Sequence, residues 1–152
     1  MNTTTSTEYT VRLHRVLKAP CEIVYRSFLE PEAVCKWLPP HGFVAKVHYC
    51  DVRVGGGYHT SFTNFRTRKT DSFKGVYQEL TPNKCIRYTD KFDDSAMPEE
   101  MQVTITLLPV SCGTDITIVQ ENIPPQIPVE LCYLGWQESL SQLAALVEPE
   151  IV

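Results

Sequence analysis

The sequence lacks clusters of basic side chains and long apolar runs. Its 152 residues carry 14 Lys and Arg against 18 Asp and Glu, for a net charge of −4. The densest basic stretch is only residues 66–69. Proteins that bind nucleic acids contact phosphates through clustered Lys and Arg, so we expect no nucleic-acid partner. No run reaches the ~18 apolar residues of a membrane-spanning helix, so we expect no membrane span.

The sequence also lacks the cysteine spacing of a disulfide or metal protein. Its six cysteines include no CxxC pair and none lies near a histidine at metal-ligand spacing. The N-terminal residues show neither the basic nor the apolar region of a secretory signal. We therefore expect a cytoplasmic protein without a metal or cofactor, whose cysteines are reduced and mostly buried.

No catalytic motif is present either. The serines lack a GxSxG context, the glycines 55–57 lack the GxxxxGK[ST] pattern of a phosphate loop, and the acidic pairs at 93–94 and 99–100 fall in one loop. We assign no catalytic residue and lean toward a protein that is not an enzyme.

What the sequence does contain is the periodicity of an α+β fold. Residues 1–7 are polar and expected to fray, and residues 8–148 are expected to form one domain. Alternating apolar residues predict a strand at 9–17, two short helices follow at 21–29 and 31–38, and six strands occupy 43–119. After Pro128 the apolar period changes to three and four residues, which predicts a long C-terminal helix. Gly135 lies in the middle of that helix, and we expect a close approach to the sheet there.

Four sequence segments resemble a known family. They are Ala19-Pro20 followed by Val24-Tyr25, Lys36-Trp37 followed by two prolines and Gly42, residues 51–56 (DVRVGG), and Gly135-Trp136 followed by Leu140 and Leu143. In this order they resemble the START-like, or polyketide-cyclase-like, superfamily. Within it the chain is most similar to proteins like the C-terminal domain of the activator of the heat shock protein 90 ATPase. The resemblance implies a helix-grip fold, in which a curved antiparallel sheet (order β-α-α-β6-α) surrounds a long C-terminal helix and an internal apolar cavity.

Aromatic residues are the main candidates to line such a cavity. Ligand pockets are mostly apolar with a few polar groups that fix orientation, and buried Tyr and Trp need partners for their polar tips. We predict a cavity lined by Trp37, Phe62, Tyr77, Tyr88, Val103, Ile105, Tyr133 and Trp136. The alternative is that these side chains fill a solid core, and a shift of one residue in strand register would turn several of them outward.

Three polar residues are candidates to orient a ligand. Asp51 and Arg53 are two apart and share a sheet face; a structural role beside glycines 55–57 is favoured over a ligand role. His59 could orient a ligand or pair with His48 across a hairpin, but neither has metal-ligand spacing.

Three functions remain open from the sequence. The first is binding of a small, largely apolar ligand such as a lipid, a polyketide or an aromatic metabolite. The second is interaction with a chaperone or another regulatory protein. The third is a cyclase or hydrolase that uses a cavity His, Asp or Tyr. The protein could be a monomer or a homodimer.

Overall fold

The computed structural model describes residues 9–151, so the predicted frayed segment 1–7 lies outside the described residues. Ten elements follow one another along this part of the chain. They are β1 (Val11–Leu17), α1 (Cys21–Leu29), α2 (Pro31–Trp37), β2 (Phe43–Cys50), β3 (Gly57–Asn64), β4 (Thr70–Thr81), β5 (Cys85–Phe92), β6 (Met101–Val110), β7 (Gly113–Glu121) and α3 (Val129–Val147).

The strands form one antiparallel sheet in the order β1-β7-β6-β5-β4-β3-β2. Strands β2 to β7 follow one another by short connections, and β1 closes onto β7. The helices lie on one face, so the predicted α+β helix-grip fold and its element order are confirmed. Among residues 9–151, no helix is both long and apolar enough to cross a bilayer.

Strand β2 ends at Cys50, four residues earlier than the predicted end at Val54. The backbone turns after Asp51, because Arg53 N donates to Asp51 O and Gly56 N donates to Arg53 O. Gly56 permits this turn, since a Cβ there would lie 2.2 Å from Asp51 O.

Strand β2 also carries a bulge at His48, where the pairing with β3 shifts by one residue. The extra residue changes which side chains face the helices, so Val47 and Cys50 share the inner face.

The core is concentrated at one end of the sheet. Val24 and Phe28 of α1 and Leu140 and Leu143 of α3 pack there against Ile105 of β6 and its neighbours. The predicted mostly buried state of the cysteines is wrong: five are half-buried and Cys112 is exposed, and none forms a disulfide.

Helix α3 is fastened to α2 by side chains that cap the end of α2. The last carbonyls of a helix have no partner within it. Here Gln142 Nε2 donates to Trp37 O at 2.7 Å and to Pro39 O at 2.8 Å, and Ser139 Oγ donates to Leu38 O at 2.6 Å. These hydrogen bonds hold the part of α3 around Ser139 and Gln142 against the end of α2.

Two glycines have opposite environments. Gly75 of β4 lies where the backbone comes very close to its neighbour: a Cβ would lie 1.8 Å from Thr89 O and 2.8 Å from Tyr58 Oη. Gly135 of α3 has nothing within 4 Å of a Cβ position, so the predicted close approach to the sheet is wrong.

Alanine substitutions at these two glycines are expected to have opposite effects. Gly75→Ala should lower the free energy of unfolding by more than about 2 kcal/mol, because backbone and Tyr58 must move. Gly135→Ala should raise it by about 0.5–1 kcal/mol, because alanine is the better helix former and meets no neighbour. Urea unfolding of both variants checks this, and a destabilised Gly135→Ala would contradict the open environment.

Candidate functional site: a cavity between the sheet and helix α3

An apolar cavity of about 370 Å³ lies between α2, α3 and the inner face of the sheet. Helix α3 packs on α2, β1 and α1, whereas the opposite wall of the cavity comes from β2, β3, β4 and β5. The sheet therefore curves away from the helix on that side. Leu131 is 59% exposed yet lines the cavity, and Asp71 is exposed as well, so these two side chains mark its rim.

Strand parity sets the sheet wall. On β3 the even-numbered Tyr58, Thr60 and Phe62 face inward, and on β5 Tyr88 and Asp90 do the same. The rings form two groups. Tyr58, Tyr77 and Tyr88 have centroids 5.7 to 6.3 Å apart, and Phe62 and Phe92 flank Phe73 at 4.8 and 6.4 Å.

Six of the eight predicted cavity residues line this space: Trp37, Phe62, Tyr77, Tyr88, Val103 and Trp136. Trp37 is fully buried, and its Nε1 donates to Ser27 O at 2.9 Å. Trp136 Nε1 donates to Gln120 Oε1 at 2.8 Å, which ties α3 to β7. That these residues contact a ligand stays a prediction.

Ile105 and Tyr133 are not at the cavity surface. Ile105 is fully buried in the core cluster that also contains side chains of α1 and α3. Tyr133 lies on the adjoining side of α3, where its ring joins Val11 and its Oη accepts from Arg12 N at 3.3 Å. Apolar periodicity identifies the inner face, but it cannot show where along that face the helix leaves the sheet.

The three predicted polar residues lie outside the cavity. Asp51 and Arg53 form an exposed pair in the β2–β3 turn, with Arg53 Nε donating to Asp51 Oδ2 at 2.9 Å. His59 has the opposite parity to Tyr58 and faces outward. Its Nε2 lies 3.0 Å from Asp93 Oδ2.

His59 also lies beside His48, with ring centroids 4.7 Å apart and the rings tilted by 34°, so the predicted pairing across the hairpin exists on the outer face. Ser72 and Lys74 contact the same Asp93 carboxylate. The hydrogen bond from Ser72, with help from Lys74 and His59, lowers the pKa of Asp93. Within the described range 9–151, no three His, Cys, Asp or Glu side chains come together as metal ligands.

Asp90 is a cavity residue that was not among the predicted site residues. Asp90 lies on the inner face of β5 and lines the cavity. Burial raises its pKa from 3.8 to about 7, although hydrogen bonds from Tyr58 and from the Lys91 backbone act in the opposite direction. Its parity with Tyr88 was the available signal, since two residues along a strand share a face.

Tyr58 links Asp90 to the backbone. Its Oη lies 2.7 Å from Asp90 Oδ1 and 2.8 Å from Thr89 O. The single hydroxyl proton cannot serve both acceptors fully. A protonated Asp90 resolves this, because it can donate to Tyr58 Oη while Tyr58 donates to Thr89 O. When Asp90 is ionised, Tyr58 can donate to it instead, and that hydrogen bond lowers the pKa of Asp90. Burial is therefore what favours the neutral form.

Other polar groups at the cavity are mostly partnered. Cys50 Sγ lies 3.4 Å from Tyr77 Oη, and burial together with this contact raises the pKa of Tyr77. Gln120 Nε2 donates to Met101 Sδ at 3.2 Å. Gly135 lines the cavity from the α3 side, where it presents no side chain.

Residues 18–148 match the family described as Activator of Hsp90 ATPase homolog 1-like protein. The chain belongs to this family. A protein of Chromobacterium violaceum with a solved structure is 59% identical, with a TM-score of 0.91 over 93% of this chain and 99% of that chain. These findings agree with the START-like resemblance of the sequence.

More distant solved structures show the same fold. A protein of Rhodobacter sphaeroides is 18% identical, with a TM-score of 0.82 over 92% of both chains. The AHSA1 protein of Silicibacter pomeroyi is also 18% identical, with a TM-score of 0.78 over 90% of this chain and 95% of that chain. No curated protein matches the sequence.

Replacing Asp90 is expected to change how stability depends on pH. The folded state holds the Asp90 proton up to about pH 7, whereas the unfolded chain releases it near 3.8. The folded state therefore binds more protons between these values, and Asp90 lowers stability as the pH rises through them. Asp90→Asn should raise the free energy of unfolding by about 1–3 kcal/mol at about pH 8 and by much less at about pH 4.

Urea unfolding of the wild type and the variant across this pH range measures the difference. Asp71→Asn at the exposed rim is the control for loss of a carboxylate charge. A stability difference for Asp90→Asn that does not change with pH would contradict a buried, raised-pKa carboxyl.

Proposed function

We propose that the protein binds a small, largely apolar ligand in the cavity between the sheet and α3. The observation that carries the proposal is Gly135. A glycine inside a helix costs about 1 kcal/mol relative to alanine, and no neighbour requires it here, since a Cβ would meet nothing within 4 Å. Its effect is to leave space in a cavity of about 370 Å³.

The lining supports the same proposal. It consists mainly of aromatic and aliphatic side chains, and its polar groups include Tyr77, Gln120 and Asp90. This is the composition of small-molecule sites, which fall mostly in the range of about 300–1,000 Å³. Of the predicted residues, Trp37, Phe62, Tyr77, Tyr88, Val103 and Trp136 are proposed as ligand contacts.

The enzyme alternative has less support. His48 and His59 lie on the outer face of the sheet, so neither supplies a base inside the cavity. Asp90 is the ionisable carboxyl inside, and no second acid or base among residues 9–151 contacts it besides Tyr58. An interaction with a chaperone or a regulator rests on the family description alone.

A neutral fluorescent probe tests the proposal. N-phenyl-1-naphthylamine, whose emission rises in apolar surroundings, should bind saturably at one site per chain. Gly135→Leu should weaken this binding at least about tenfold, because the new side chain enters the cavity. Gln137→Leu, the same new side chain at an exposed position of α3, should leave the affinity within about twofold of wild type.

Circular dichroism shows whether both variants remain folded. The proposal is wrong if the wild type gives no saturable signal, or if Gly135→Leu and Gln137→Leu bind the probe equally well. If the probe binds as expected, a thermal-shift screen of lipids, polyketides and aromatic metabolites can rank natural ligand classes by how much each raises the melting temperature.

A further inference from the structure

The charged side chains that line the cavity are all acidic. Two carboxyls line it, Asp90 inside and Asp71 at the rim, and none of the lining residues is Lys, Arg or His. Of the ion pairs formed within residues 9–151, none includes Asp90. The inner carboxyl therefore has no cation from the protein.

The groups around Asp90 do not supply a positive charge either. The titratable side chains that face the cavity beside it are Tyr58 on β3, Tyr77 on β4, Tyr88 on β5, Cys50 on β2 and Cys132 on α3. All of these are neutral or acidic. Burial raises the pKa of Tyr58 and of Tyr88, and the Asp90 carboxylate adds to both shifts, so both phenols stay neutral near it.

The three tyrosine rings also favour a positively charged ligand group. Tyr58, Tyr77 and Tyr88 lie within 6.3 Å of one another around this part of the cavity. The faces of aromatic rings attract cations, most strongly where water is excluded. A half-buried carboxyl beside three phenol rings is an environment that stabilises a positive group and repels a negative one.

We propose that the cavity selects apolar molecules that carry one basic nitrogen, with the ammonium group bound to the Asp90 carboxylate beside the tyrosine rings. This inference rests on the proposed function and narrows it to a ligand class. A ligand carboxylate would instead place two like charges in an apolar space. A neutral alcohol could donate a hydrogen bond to Asp90, but it would leave the negative charge of the carboxylate uncompensated.

Proton linkage predicts the direction in which affinity for an amine changes with pH. Binding of an ammonium group favours ionised Asp90, so the proton held by the free protein is released on binding. Because the pKa of Asp90 is about 7 in the free protein, affinity for an amine should rise as the pH increases from about 6 to about 8. Affinity for a neutral ligand should not follow this curve.

Three ligands of equal chain length test the selectivity: decylamine, 1-decanol and sodium decanoate. Each is titrated into the complex with N-phenyl-1-naphthylamine to measure displacement, and calorimetry measures proton release in buffers of different ionisation enthalpy. At about pH 8 decylamine should bind at least about tenfold more tightly than decanol, and decanoate should be the weakest. Asp90→Asn should remove most of the decylamine advantage and leave decanol within about threefold.

Two further variants guard against simpler explanations. Tyr58→Phe removes a hydrogen bond that lowers the pKa of Asp90, so the midpoint of the amine affinity curve should move to higher pH. Gly135→Leu should abolish decylamine binding. Retained binding in that variant would place the amine on the acidic surface and overturn the proposal.

The outcomes separate this inference from the proposed function. If decanol binds as tightly as decylamine, or decanoate binds more tightly, the cavity binds apolar ligands without selecting amines and the inference is wrong. If the probe binds saturably but none of the three displaces it, the inference fails and the proposed function stands. If the wild type does not bind the probe and none of the three shifts the melting temperature, both proposals fail. An amine affinity that is flat from about pH 6 to about pH 8 also overturns the role of Asp90.

Discussion

The attachment of α3 to α2 is the constraint on which the rest of the structure depends. Ser139 and Gln142 donate to the carbonyls of Trp37, Leu38 and Pro39, which would otherwise have no partner at the end of α2. Trp136 adds a bond to Gln120 on β7. Held at these points, the helix packs on the core at one end of the sheet and stands off β3, β4 and β5 at the other, which leaves the cavity.

Two features at this cavity lower the stability of the fold. Gly135 has a lower helix propensity than alanine, and no neighbour requires a glycine there. Asp90 is a half-buried carboxyl without a cation, and its desolvation raises its pKa. We expect alanine at position 135 and asparagine at position 90 to stabilise the fold, so folding alone does not explain either residue. Both are explained together if the cavity holds a ligand, since the glycine leaves room for its body and the carboxyl interacts with its polar end. The lower stability of the fold then accompanies the two features that ligand binding requires, namely space and a carboxyl.

Much of this architecture could be predicted from the sequence. Alternation located the strands, the change of period after Pro128 located α3, and the inner faces of β3 and β5 followed from Phe62 and Tyr88. The missed features depend on distances between segments far apart in the chain. Periodicity could not show that Val103 borders the cavity while Ile105, two residues along β6, does not, or that Gly135 meets no neighbour. Asp90 was visible by parity with Tyr88, but its significance appeared only with the absence of a nearby cation.

The central claim is that the protein keeps an apolar cavity with an uncompensated carboxyl inside it. The most direct measurement is a ¹³C NMR titration of the side-chain carboxyl of Asp90, assigned by its loss in Asp90→Asn. We expect a midpoint near pH 7, in line with the raised pKa of this group. A midpoint near 4, the ordinary value for an exposed aspartate, would show that the carboxyl is well solvated and would contradict the claim.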